Sequence, residues 1–62
     1  MLKVGDKKVV KAAPASHFHK FDGERVEIIG ISTLNKNGKE EFVYTFVHTS
    51  LGFGAMYEHG FK

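Results

Sequence analysis

The dipeptide Asn37-Gly38 constrains the fold of this chain more than any other feature of its sequence. Both residues tolerate a positive φ, which the tight turns of β-hairpins require, and runs rich in β-branched and aromatic residues lie on either side. We predict a strand over about residues 24–34 and a returning strand over about residues 39–49. The central hairpin would turn at Asn35-Lys36-Asn37-Gly38.

Turn-forming residues divide the rest of the chain into short β segments. We predict a first strand over about residues 7–12 and an irregular connecting segment over residues 16–22. After a turn over residues 50–54, residues 55–59 could form a short closing strand or a single helical turn. Gly30 lies inside the strand before the hairpin and indicates a kink or β-bulge. The fold class is therefore all-β, a small five-stranded barrel that occupies residues 1–62 as one domain.

The chain has 62 residues and no cysteine, so its core must form without disulfide bonds. Closing the sheet into a barrel would remove most of its unpaired edges. On the returning strand, aromatic residues and His48 alternate with β-branched residues. We expect the aromatic side to pack in the core, with Tyr44 and His48 nearest the surface; the alternative is an exposed aromatic row that binds bases or a peptide. The expected core residues are Val9, Val26, Ile28, Ile31, Val43 and Val47, with one or more of Phe21, Phe42 and Phe46.

Two segments are similar to known small barrels. Residues 4–9, Val-Gly-Asp-Lys-Lys-Val, resemble the V-G-D-x-V opening of SH3-like barrels. Residues 21–31, Phe-Asp-Gly-Glu-Arg-Val-Glu-Ile-Ile-Gly-Ile, resemble the KOW-type segment of ribosomal proteins and transcription elongation factors. Phe21, Gly23 and Ile28 fit that pattern, whereas Val26 stands where it has a second glycine. The resemblance implies an SH3-like barrel with a loop that contacts nucleic acid.

The positive charge is concentrated at the start of the chain. Residues 1–20 carry five lysines and one aspartate, a net charge of +4, whereas residues 21–62 carry a net charge of −2. A basic segment suggests an acidic partner such as nucleic acid or a nucleoprotein complex. The alternative is that these lysines protect a sheet edge from pairing. The expected nucleic-acid contacts are Lys7, Lys8, Lys11, His17, His19, Lys20, Lys36 and Lys39.

A second functional class is a protein-interaction or assembly module, of the kind found among phage and prophage accessory proteins. Such a module would dock through an exposed aromatic patch or pair with itself as a weak homodimer; otherwise the chain would be a monomer. The expected patch residues are Tyr44, His48, Phe53 and Tyr57.

Other classes receive less support. His17 and His19 would lie on one side of an extended segment and could bind a metal together with His48 or His59. No acidic residue lies between them to orient the rings, so we favour local hydrogen bonds or partner contacts and predict no metal. The sequence has no nucleophile motif and no phosphate-binding glycine loop, so we predict neither enzymatic activity nor a cofactor. Without an apolar run of about 18 residues or a leader segment, we expect a soluble cytoplasmic protein that does not bind membranes.

Overall fold

The structure is a computed structural model that describes residues 2–62. Four antiparallel strands form one sheet in the order β1-β2-β3-β4, which curls into a half-barrel. They are β1 (Lys7–Val9), β2 (Arg25–Lys36), β3 (Lys39–His48) and β4 (Gly52–Tyr57). Two 3-10 turns, His19–Phe21 and Glu58–Gly60, are the helical elements of the described chain. The prediction of an all-β fold is confirmed.

The central hairpin forms where its turn residues allow it. Asn37 and Gly38 have φ values of 53° and 77°, and the ladder ends with Lys36 opposite Lys39. The predicted kink at Gly30 is also present, because the β2–β3 register shifts between Ile28 and Gly30. A bulge of this kind bends the strand and increases its twist. It therefore helps a 12-residue β2 to curl around the core.

The end of the chain closes against β1 without forming a fifth strand. A single bridge joins Val10 to Phe61, and the Lys62 N–H donates to the Val9 carbonyl over 2.8 Å. The prediction of five strands is wrong for the described residues, which form four. The two expectations for residues 55–59 both hold in part: β4 continues to Tyr57 and a 3-10 turn follows.

β1 ends at Val9 rather than near residue 12, and its hydrogen bonds explain why. Past the bridge at Val10, the Ala12 N–H donates to the Asp22 Oδ1 over 3.0 Å instead of joining the sheet. The predicted irregular segment over residues 16–22 contains the 3-10 turn His19–Phe21. At the other end, the turn predicted over residues 50–54 is shorter than expected, because β4 already begins at Gly52.

The core is built on the aromatic side of β3. Tyr44 and Phe46 are fully buried, and the Phe46 ring packs edge-to-face against Phe21 and Phe61 at centroid distances of 4.9 and 5.8 Å. The buried hydrophobic residues are Leu2, Val10, Ala12, Phe21, Val26, Ile28, Tyr44, Phe46 and Phe61. The expectation that aromatic residues of β3 form the core is confirmed.

Several positions predicted for the core lie outside it. Val43 and Val47 are only half-buried because they project from the outer face of β3, whereas Phe46 projects from its inner face. Val9 is likewise half-buried, and Ile31 and Phe42 are exposed because they lie toward the hairpin end of the sheet.

The prediction that Tyr44 lies near the surface is wrong. Its neighbours across the sheet are Ile31 and Met56, and the Phe61 ring covers it at a centroid distance of 6.2 Å. Its hydroxyl is buried without a hydrogen-bond partner in the described part of the chain. No helix among residues 2–62 is long and apolar enough to cross a membrane.

Candidate binding surfaces

The hairpin end of the sheet projects beyond the core. We define residues 31–42, the far part of β2 and the near part of β3, as the arm; every one of its residues is exposed. β1 pairs only with residues 25–27 of β2, and β4 pairs with β3 only from Val43 onward. The arm is therefore a two-stranded ribbon without a third strand or a covering layer. Such ribbons are marginally stable alone.

Apolar side chains lie on both faces of the arm. Directly opposed residues share a face, so Phe42, opposite Thr33, lies on the same face as Ile31, which is opposite Tyr44. Leu34 lies on the other face, opposite Glu41. Ile31, Leu34 and Phe42 are 38%, 46% and 37% exposed. Each of these three side chains therefore keeps more than a third of its surface exposed in the single chain.

A cleft lies at the base of the arm, where it meets the end of β4. We call it the arm cleft; its volume is about 430 Å³ and it is lined by Glu41, Phe42, Tyr57, Glu58 and His59. The Tyr57 and His59 rings stack with a centroid distance of 5.8 Å and an interplanar angle of 12°. The cleft thus combines aromatic surface with two carboxylates.

A basic region surrounds β1 at the opposite end of the sheet. Lys7 and Arg25 lie on one face, since Lys7 opposes Glu27 and Arg25 opposes Val9. We call the region the basic end; seven basic and four acidic residues give it a net charge of +3. These residues are Lys3, Lys7, Lys8, Lys11, Lys20, Arg25 and Lys62, with Asp6, Asp22, Glu24 and Glu27. Sequence reasoning missed Arg25 and Lys62, which the β1–β2 register and the closing bridge bring beside β1.

The predicted nucleic-acid contacts do not share one surface. Lys7, Lys8 and Lys11 lie at the basic end, whereas Lys36 and Lys39 oppose each other at the hairpin turn. About nine residues of β2 separate these two groups, a distance of roughly 30 Å along an extended strand. Lys36 and Lys39 can therefore act only as a separate site. As like charges directly opposite each other, they also destabilise the hairpin slightly.

The predicted contact residues of the irregular segment over residues 16–22 have different positions. His17 lines a groove beside β4 together with His59. His19 and Lys20 are exposed in the first 3-10 turn, and the Lys20 Nζ lies 5.2 Å from the centre of the Phe21 ring, a cation–π geometry. Residues 2–62 contain no group of three or more His, Asp or Glu side chains that could hold a metal ion.

His48 organises the turn between β3 and β4. Its Nδ1 accepts the Ser50 and Leu51 N–H groups at 3.0 and 3.1 Å, and its Nε2 lies 2.9 Å from the Glu24 Oε1. A neutral ring that accepts at Nδ1 carries its proton on Nε2, so it donates to Glu24. With a side chain only 13% exposed, His48 supports the turn instead of forming a binding surface.

The four residues of the predicted aromatic patch therefore lie apart. Tyr44 is in the core and His48 supports a turn, while Tyr57 lines the arm cleft. Phe53, opposite Val47 on the outer face, is 70% exposed and is the most exposed large apolar residue described. Comparison of the chain with protein-family models, with curated proteins and with solved structures finds no match in any of the three.

Proposed function

We propose that this chain is a small non-enzymatic binding module that docks a protein partner through the arm and the arm cleft. The observation that carries the proposal is that every residue from 31 to 42 is exposed and that apolar residues lie on both faces of the ribbon. Large apolar side chains on a ribbon that has no covering layer mark interaction sites more often than scattered surface residues do. A partner that packs on the arm would also order a ribbon that is marginal by itself.

The proposed partner surface is apolar with a basic side chain at its border. Ile31 and Phe42 would contact the apolar part. The ring stack of Tyr57 and His59 and the carboxylate of Glu41 would receive a lysine or arginine, since cations bind both aromatic faces and carboxylates.

As part of the proposal, we infer that the half-barrel is SH3-like and that residues 21–31 are KOW-like. The antiparallel β1–β4 order, the bulge at Ile28/Gly30 and the 3-10 turn before the Val10–Phe61 bridge support the first inference. The cytoplasmic location and a phage or prophage origin stay predictions from the sequence.

The proposal is tested with a double variant, Leu34→Gln with Phe42→Gln, and a matched control, Val4→Gln with Ile29→Gln. All four side chains are exposed, so we expect both proteins to stay folded, which circular dichroism checks. Proteins recovered by cross-linking in lysate would be purified and titrated against each form. We expect the arm variant to bind the recovered partner at least about tenfold more weakly than the wild type, and the control to bind like the wild type. Equal affinity of the arm variant and the control would contradict the proposal.

A second candidate function is binding of nucleic acid through the basic end. The specific observation is that the β1–β2 register adds Arg25 to Lys7 on one face, and the closing bridge brings Lys62 beside β1. Lysine and arginine side chains release counterions when they contact phosphates, which makes such binding depend on salt. Glu27, opposite Lys7, weakens the positive potential of this face, which is why we rank this candidate second.

Fluorescence anisotropy with single- and double-stranded DNA and RNA tests this candidate. The titrations are run between about 50 and 200 mM salt, a range over which binding by phosphate contacts weakens steeply. The variant Lys7→Gln with Lys11→Gln should weaken binding and lower the salt slope by about 2. The variant Lys36→Gln with Lys39→Gln removes the same charge at the far end of the sheet and should bind like the wild type. Absence of binding at the lowest salt, or equal losses in the two variants, would rule the candidate out.

A further inference from the structure

β4 is an unprotected edge of the sheet. It is the last strand in the order, and none of the residues from Gly52 to Tyr57 is charged or a proline. Among residues 2–62, the backbone hydrogen bonds outside the strand ladders involve no residue of β4. Alternate N–H and C=O groups therefore point outward from this edge. Natural edge strands usually carry lysine, proline or a bulge that prevents pairing, and β4 has none of them.

An open groove of about 460 Å³ runs beside β4. One wall comes from residues 15–18, including Phe18, whose ring lies near Gly54 on the inner face of the strand. The lining also includes Ala55 and Tyr57 of the outer face and Met56 of the inner face. Because residues from both faces of β4 line the same groove, the strand edge between them is accessible to an added strand.

We propose that a second copy of this chain adds its own β4 antiparallel to this edge, with the two-fold axis at Ala55. In this register Ala55 opposes its counterpart, and Phe53 opposes Tyr57 of the second copy. The dimer would form one continuous eight-stranded sheet with its two cores on the same side. The groove beside β4 shares Leu34 with the arm and Tyr57 with the arm cleft, but this inference does not depend on the proposed function.

The alternation of faces selects this register. Phe53 and Tyr57 project from the outer face, because they oppose Val47 and Val43 of β3. Opposed residues of an antiparallel pair share a face, so the axis at Ala55 forms two Phe53–Tyr57 pairs on the outer face. Each aromatic pair stabilises the contact and covers a Phe53 side chain that is 70% exposed in the single chain. A slip of one residue would place the two cores on opposite sides of the sheet and lose these pairs.

Charge and size also favour a second copy as the occupant. The strand is uncharged, so two copies meet without repulsion, and Gly54 and Ala55 at the axis allow close approach. The contact is small, however: six residues span about 20 Å. Such a pairing buries less than the roughly 1,000 Å² of a stable interface, so we expect a reversible dimer that is mostly monomeric at about 10 µM and mostly dimeric at about 1 mM.

Sedimentation velocity over this concentration range tests the inference with two charge variants, Ala55→Lys and Ala55→Glu. Each variant places like-charged side chains directly opposite each other across the axis, with their Cβ atoms about 5 Å apart, so each alone should remain monomeric at the highest concentration. An equal mixture of the two should form heterodimers, because opposite charges then face each other. The matched control Val4→Lys adds the same charge at a 63% exposed position before β1 and should dimerise like the wild type.

Each outcome decides the inference. Wild-type protein that stays monomeric throughout, an Ala55→Lys variant that dimerises normally, or a mixture that remains monomeric would overturn it. Circular dichroism of each variant checks that it is folded, since Ala55 projects from the outer face and is not part of the core. The single arm variant Phe42→Gln, whose side chain does not line the groove beside β4, should still dimerise, so failure of this inference and failure of the proposed function are distinguishable.

Discussion

Phe46→Ala is expected to lower the free energy of unfolding by about 3–5 kcal/mol. Phe46 is fully buried, and its ring contacts Phe18, Phe21 and Phe61 at centroid distances of 6.2, 4.9 and 5.8 Å. Its removal leaves a cavity between the sheet, the first 3-10 turn and the closing C-terminal segment. A 62-residue domain has a total stability of roughly 3–9 kcal/mol, so this loss removes at least about a third of it and should lower the urea midpoint strongly.

Urea denaturation followed by circular dichroism measures this effect. The matched control is Phe53→Ala, which removes the same side chain from a position that is 70% exposed and should change the stability by less than about 0.5 kcal/mol. Phe46→Leu retains most of the apolar volume and should lie between the two. A Phe46→Ala protein as stable as the Phe53→Ala control would show that the ring cluster is not the core.

Gly54→Ala is expected to destabilise the domain by about 1–3 kcal/mol, although it adds only one methyl group. A Cβ at this position would lie 2.5 Å from the Phe46 Cζ and 3.2 Å from the Phe18 Cδ1. The obstructing atoms belong largely to a fully buried ring, which cannot move away without disturbing the core.

Two further variants isolate the contact between Gly54 and Phe46. Gly30→Ala places its Cβ 3.6 Å from the Thr45 Cβ, an ordinary contact, so its stability should match or slightly exceed that of the wild type. Adding Phe46→Leu to Gly54→Ala removes the Cζ atom and should recover about 1 kcal/mol relative to the sum of the single effects. Strict additivity in the thermal or urea midpoints would argue against a direct contact between the two residues.

The sequence predicted the local features of the hairpin and much of the core. Asn37-Gly38 forms the turn because few other residue pairs adopt two successive positive φ values, and the bulge occurs at Gly30 as expected. Val26, Ile28, Phe21 and Phe46 are buried, as their apolar character indicates. These features depend on backbone preferences and side-chain types that a linear sequence states directly.

The candidate surfaces were predicted less well, because they depend on which segments meet. The basic end includes Arg25 and Lys62, which are distant from β1 in sequence, and it excludes Lys36 and Lys39. The exposed arm could not be anticipated, since β2 and β3 read as ordinary strands along their whole length. Only the limits of the β1 and β4 pairings show that the far halves of β2 and β3 have no third strand beside them.

Taken alone, the sequence determined that this chain is an all-β domain built around one central hairpin, because turn chemistry and alternation are local properties. The tertiary structure decided that the last segment contributes a single bridge instead of a fifth strand, that Tyr44 is buried, and that the arm and the β4 edge stay uncovered. The physical reason is that burial and pairing depend on the shape of the whole sheet. A residue is buried only where another segment of the folded chain packs against it.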